Sequence, residues 1–335
     1  MLTATTSATA PRRRIGSAPA WTEISRVLRR LGLSVVSLLL ATVVVFAVLQ
    51  IIPGDPATAI LGEYATPDQV TELRAQLGLD KPLLNQYFHW LGNVLHGDLG
   101  KSLYSGEKVT TILGQRLPAT LQIVALAVAL SLLIGVPMGI AAARRNGRAA
   151  DRVLVGMSTL GVAVPSFWLA MMLATYFGLT LGWFPATGFA GITEGPWQFL
   201  QHALLPALAL SLSGAAEVSR QLRGSLVESL HSDYVRTARS KGLRARAILY
   251  RHALPNAGVT VLTVIGLITS RLLGATVVVE AVFAIPGLGS LVVDAVQRRD
   301  YPLIQGALLV FALWVIAINT IVDFLYPKVD PRIQL

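Results

Sequence analysis

Side chains able to do bond chemistry are few and scattered. The 335-residue chain has no Cys, which removes disulfides, thiolate metal sites and cysteine nucleophiles. Its five His (His89, His96, His202, His231, His252) follow no ligand spacing, and neither His-Glu-x-x-His, Gly-x-Ser-x-Gly nor an Asp-x-Asp loop occurs. His89 and His96 share one segment and are the one pair placed to meet around a metal; two surface His are the plainer reading. Gly100-Lys101-Ser102 has the end of a phosphate loop, but Leu95 stands where that loop needs its first Gly. What remains is chemistry without bond making: lone charges in apolar runs, and a run of cations between Ser225 and Asn256. Arg271 lies deep in an apolar run, where a charge costs roughly 2.5–3.5 kcal/mol on insertion scales. Glu280 is nine residues on, about 13 Å along a helix, too far to pair with it. Glu217, or a group on another subunit, is the candidate partner. Arg271, Glu217 and Glu280 are therefore candidates for a solute pathway, and a salt bridge that only holds a bundle together fits Arg271 equally well.

The elements that must carry these residues are membrane spans. The chain is 53% hydrophobic and 14% charged, against about 25% charged in soluble domains. That excludes a cytosolic enzyme, a disordered chain and a secreted domain together. Uncharged stretches of 24, 27, 41 and 22 residues follow Arg30, Arg116, Arg152 and Asp300, and about 20 apolar residues cross a bilayer. The reading is an all-α integral membrane protein with six transmembrane helices, at 31–52, 119–143, 153–181, 202–222, 259–279 and 303–326. The fourth is the weakest, with Glu217 and Arg220 near its end; a shorter reading makes it a buried half-helix. Residues 1–30 form a basic N-terminus, and the first run is too long for the apolar core of a signal peptide. Residues 53–117 form a loop or small domain between the first two spans. Residues 118–326 form the core of the remaining five, with Pro118 suited to a helix start, and 327–335 a tail.

Orientation follows from Lys and Arg, which concentrate on cytoplasmic loops. Segments 1–30, 144–152, 220–256 and 327–335 hold 20 of the 28 Lys and Arg, and 53–117, 182–201 and 280–302 hold seven. This places both termini inside, and 53–117 outside as an extracytoplasmic segment. Pro137, Pro165 and Pro206 fall inside spans, where proline invites a kink. Gly135, Gly139, Gly161, Gly178, Gly266 and Gly274 permit close helix contact. Leu288, Leu291, Val292 and Ala295 recur at helical spacing. They predict a short outer helix with Asp294, Arg298, Arg299 and Asp300 facing water or a docked protein.

The cationic segment 225–256 reads as an elbow. Ser232 or Asp233 caps a helix over 234–241, Gly242 stops it in the left-handed conformation, and 243–252 forms a second helix ending before Pro255. A basic loop resting on anionic lipid and a docking element for another protein both fit this composition. A loop pinned by a span at each end is a lever in the second case.

The same stretch resembles the cytoplasmic loop of permease subunits of ABC importers. Arg236-Thr237-Ala238, three residues, Gly242, nine residues and His252-Ala253-Leu254-Pro255 reproduce the spacing of that loop, with Arg236 in place of the usual Glu and His252 in place of Ile. Further segments resemble the dipeptide, oligopeptide and nickel branch. They include 52–56, 77–83, Gly97-Asp98-Leu99-Gly100, 116–120, Pro286-Gly287-Leu288-Gly289 and Arg299-Asp300-Tyr301-Pro302. The resemblance covers nearly the whole chain and is to the N-terminal-type permease of the pair. It implies the type I importer permease fold, with no catalysis by this chain and no cofactor of its own. It implies as partners a second permease, two ABC ATPase subunits carrying ATP and Mg, and an extracytoplasmic solute-binding protein, all at a bacterial inner membrane. It implies alternating access for peptides, with nickel chelates or glutathione as the alternative cargo. A stand-alone channel or an intramembrane enzyme is the competing class. It implies that Asp233, Tyr234, Arg236, Ala238, Arg239, Lys241, Gly242, Leu254 and Pro255 couple to the ATPase.

Overall fold

In the computed structural model the described residues are 20–51, 55–62 and 65–329. Most of the expected basic N-terminus, Ile52-Pro53-Gly54 of the 52–56 motif and the end of the tail lie outside them. Among the described residues the chain is helical: α1 (Ala20–Ile51), α2 (Pro56–Leu61), α3 (Pro67–Leu77), α4 (Leu83–Leu95), α5 (Val109–Arg144), α6 (Ala149–Ala163), α7 (Ser166–Leu173), α8 (Pro196–His231), α9 (Asp233–Ser240), α10 (Ala245–Ile248), α11 (Leu254–Val282), α12 (Leu288–Arg298) and α13 (Tyr301–Val329). Two π-helical turns follow α7 (Ala174–Thr180) and α10 (Leu249–Ala253).

Among the described residues, four helices are long and apolar enough to cross a bilayer: Val109–Arg144, Pro196–His231, Ala245–Val282 and Tyr301–Lys328. The pair Ala149–Ala163 and Ser166–Thr180 qualifies together but is bent by 92°. The break falls at Pro165, which has no N–H to continue the ladder. Pro137 and Pro206 lie inside continuous helices, so of the three prolines only Pro165 interrupts its helix. In α1 the stretch Gly32–Val48 is apolar but shorter.

The helix expected to be weakest is the hub. α8 is the least apolar of the four and the most buried. Its small residues Ser211, Gly214, Ala215, Ala216 and Ser219 are closed against neighbours. A helix surrounded by protein gains from small, close-packing residues more than from bulk hydrophobicity, and that weakened the sequence signal. Gly135 and Gly139 of α5 meet it where added Cβ atoms would stand 2.5 Å from the Ala215 carbonyl and 2.9 Å from that of Ser219. Gly161 of α6 does the same 3.1 Å from Ala216 Cβ, and Gly266 of α11 faces Val322 at 2.8 Å. Gly274 faces open space, so it is not the contact glycine its sequence suggests. α5 begins at Val109, two turns before Pro118. Buried Val109 and Leu113 pack with Leu288, Leu291 and Ile304, which rewards the early start and leaves Pro118 interior.

Segment 53–117 holds α2–α4 and a bridge between Lys101 and Lys108. Asp55 caps α2 through the Ala57 N–H at 3.0 Å. Thr66 and Gln69 form a reciprocal cap on α3. Arg74 binds Asp55 at 2.5 Å and Asp80 at 3.3 Å.

Candidate functional site: the elbow after α8

α8 runs through Ser232 directly into α9, and the chain turns back at Gly242. Gly242 has φ +76°, and a Cβ placed there would meet nothing within 4 Å, so conformation rather than crowding selects glycine. Its N–H donates to the Arg239 carbonyl at 2.9 Å, and the Leu243 N–H to that of Ala238 at 3.2 Å. The elbow expected from sequence is present, its first helix one residue earlier than anticipated at each end.

One face of it is a small core. Val235, Ala238 and Ile248 are buried with Leu230 against them. Around it Arg236, Arg239, Lys241, Arg244, Arg246 and Arg251 are all exposed, with Arg246 over the Tyr250 ring at 5.9 Å. Asp233 is the one acid of α9 and sits in its first turn, where it complements the helix dipole. Of the residues singled out in the sequence, Asp233, Tyr234, Arg236, Arg239, Lys241, Gly242 and Pro255 are exposed, Leu254 is half-buried and Ala238 points inward.

The elbow is tied at both ends. Arg239 donates to the Leu230 carbonyl of α8 at 3.3 Å, and Asn256 at the head of α11 donates to the Tyr234 hydroxyl at 2.9 Å. Burial pushes the Tyr234 phenol up, but hydrogen bonds with Ser229, Asn256 and Ser232 outweigh it and leave the group below its ordinary value. Pro255 does not end a helix as expected. The chain passes from α10 through the π turn into α11, with Pro255 in its first turn and the Leu254 N–H reaching back to the Leu249 carbonyl. The wider turn absorbs the bond that proline cannot make.

The lone charges separate. Arg271 is exposed on α11, and among the described residues no acid pairs with it. Glu217 is held inside α8 by Arg220 and Gln221, so the expected Arg271–Glu217 pair does not form. Glu280 is fully buried. Its carboxylate accepts from Thr120 Oγ1 at 2.6 Å and from the Ser290 N–H at 3.0 Å. Asp300, expected to face water, is buried too: Ser102 Oγ and the Leu103 N–H donate to it. Arg298 stacks on Tyr104 at 4.2 Å. Sequence reading missed the Asp151–Arg223 pair, at 2.6 and 2.7 Å, with Arg223 also donating to Asn146 at 3.0 Å. Its one signal was Asp151, a single acid in the basic segment 144–152.

Two family models cover most of the chain: binding-protein-dependent transport system inner membrane component over residues 135–335, and the N-terminal membrane component of the same systems over residues 24–124. The chain belongs to this family. The permease is 40% identical over 308 residues to a Brucella abortus (strain 2308) protein described as a peptide transport system permease, covering 92% of this chain and 98% of that one. It is 38% identical to the dipeptide transport system permease protein DppB of Escherichia coli (strain K12), covering 92% and 98%. In fold it matches a chain of the MetNI methionine ABC transporter in an inward-facing conformation. The TM-score is 0.54 at 16% identity, over 65% of this chain and 96% of that one. That likeness bears out the importer-permease fold implied by the sequence.

Proposed function

We propose that the chain is one of two transmembrane subunits of an ATP-driven peptide importer. It crosses the inner membrane six times with both termini in the cytoplasm, counting α1 and the bent α6–α7 pair as spans. It carries solute by alternating access and performs no bond chemistry. ATP and Mg reside on two partner ATPases, and a solute-binding protein delivers cargo on the outer side. Relatives named for peptide and dipeptide transport favour peptides over nickel chelates or glutathione.

The observation that carries this reading is the elbow: a cationic knuckle built on its own small core and tied by Arg239 and Asn256 to two long helices. A force on it is delivered to α8 and α11 together. For ATP to shift the gate, the elbow must bind the ATPase differently in its two states. Gly242 gives the test. A branched side chain in the left-handed region costs roughly 1–2 kcal/mol, whereas Asn tolerates it. In the reconstituted four-subunit complex with its binding protein, Gly242→Leu is expected to keep assembly and lose peptide-stimulated uptake, and Gly242→Asn to retain most of it. Normal coupled uptake by Gly242→Leu would count against the elbow as the coupling element.

A further inference from the structure

α4 lies outside every apolar run that reads as a span, yet it has the build of a membrane-surface helix. Its thirteen residues, Leu83–Leu95, contain no Asp, Glu, Lys or Arg. At 3.6 residues per turn they divide into three faces. Tyr87 and Trp90 face α1: the Tyr87 hydroxyl bonds Thr42 Oγ1 at 2.9 Å, and both rings pack on Phe46, with centroids 5.5 and 6.0 Å away. Asn85, Gln86, His89 and Asn93 line an open cavity of about 980 Å³ that Tyr301 and Gln305 also line. The third face carries Leu84, Phe88 and Leu95, which are 70%, 64% and 78% exposed. With half-buried Leu91 they follow the i, i+4, i+7, i+11 pattern of an apolar stripe. No described residue covers that stripe.

The contacts with α1 fix the depth of α4. Thr42 and Phe46 lie within the apolar stretch Gly32–Val48. Thr42 is six residues short of its end, about 9 Å at 1.5 Å per residue. Tyr87 therefore docks inside the hydrocarbon-facing part of α1, not beyond it. In the same stretch of α1, Leu39, Leu40, Val43 and Val44 are exposed as well. We propose that α4 is immersed in the bilayer interface beside α1, with Leu84, Phe88 and Leu95 among the acyl chains of one leaflet and its amide-bearing face turned to the cavity. The segment between the first two spans is then a membrane-anchored collar, not a domain standing clear of the surface. An uncharged amphipathic helix of this kind binds by apolar area alone, so headgroup charge is not needed to hold it.

The proposal rests on α1 being a span, and the test keeps the two apart. Because the chain has no Cys, single spin labels go directly onto Leu84→Cys, Phe88→Cys, Asn85→Cys and, on α1, Val43→Cys. The complete transporter in lipid nanodiscs is then probed with oxygen and with water-soluble nickel-EDDA. The expected result is oxygen access exceeding nickel access at 84, 88 and 43, with the reverse at 85. Nickel access at 84 and 88 equal to that at 85, with 43 in lipid, overturns the proposal alone. Shielding from both probes at 84 and 88 means that a protein covers the stripe, and also overturns it. Nickel access at 43 removes the span reading beneath it.

Discussion

Glu280 shows what a carboxylate demands once it is closed off from water. A buried acid needs donors on its oxygens or its desolvation goes uncompensated. Here the donors come from two other helices: Thr120 Oγ1 of α5 at 2.6 Å and the Ser290 N–H in the first turn of α12 at 3.0 Å. Thr120 in turn accepts the Leu288 N–H at 2.8 Å. The carboxylate thus clasps α5, α11 and α12 at one point. Gly287 and Gly289 let the backbone of α12 come this close. A Cβ at 287 would fall on the Glu280 carboxylate, and one at 289 would stand 2.8 Å from its Oε2 and against the Val277 backbone. Overpacking of this kind typically costs about 1–3 kcal/mol. Gly287→Ala and Gly289→Ala are expected to lower the melting temperature of the purified complex by several degrees, while Gly114→Ala, which meets open space, leaves it unchanged. Equal melting of Gly287→Ala and Gly114→Ala would show the clasp to be slack.

At the scale of elements, the other end of the bundle is closed by Asp151 and Arg223. Asp151 is nearly closed off, with its side chain 5% exposed, and Arg223 grips both of its oxygens. The Gly147 N–H adds a third donor at 2.9 Å. This bidentate pair pins the α5–α6 turn and α6 to α8, two turns before the elbow begins. Removing one partner strands a charge, which costs about 3–5 kcal/mol for a buried pair and less here because Arg223 keeps some water contact. Asp151→Ala and Arg223→Ala should each lower the melting temperature, and the double variant should lose clearly less than the two losses added together; strict additivity would mean the pair does not couple. Neither this pair nor the Glu280 clasp was legible beforehand. Their partners lie 72 and 160 residues apart in sequence, and no local pattern encodes such a meeting. The elbow was legible because its cause is local: a serine before the helix, a glycine at φ +76°, and alternating small and cationic residues. Pro255 misled for a local reason too. Proline argues against an α-helical bond, and the chain met that demand with a π turn rather than an end. Of the two partners weighed for Arg271, Glu217 drops out because it is satisfied by residues three and four places along its own helix.

For the whole molecule, the direction of each helix decides the topology, and the glycine contacts give it. Ser131 meets the Ser211 carbonyl at 3.1 Å, and Gly135 and Gly139 meet Ala215 and Ser219. The offset stays at 80 residues, so α5 and α8 run parallel. Two parallel helices that both cross the bilayer require the chain between them to return across it. Between them lies the α6–α7 pair, bent by 92°, which is the segment available to make that return. α6 pairs with α8 in the opposite sense, Asp151 with Arg223 and Ser158 with Ser219, as a returning helix must. The apolar runs made the spans visible in the sequence, but whether a run broken at Pro165 crosses or doubles back was not visible, because both options bury the same residues. The cysteine-free chain allows a direct decision. Ser105, Thr193 and Ser240 are exposed and lie before α5, before α8 and on α9. As single cysteines treated with a membrane-impermeant maleimide, Ser105→Cys and Thr193→Cys should label in intact spheroplasts, and Ser240→Cys only in inverted vesicles. Labelling of Thr193→Cys on the same side as Ser240→Cys would mean that α8 itself does not cross, and labelling of Thr193→Cys on the side opposite to Ser105→Cys would make the bent pair a re-entrant loop. Labelling of Ser240→Cys from outside would turn the elbow away from any ATP-fuelled partner.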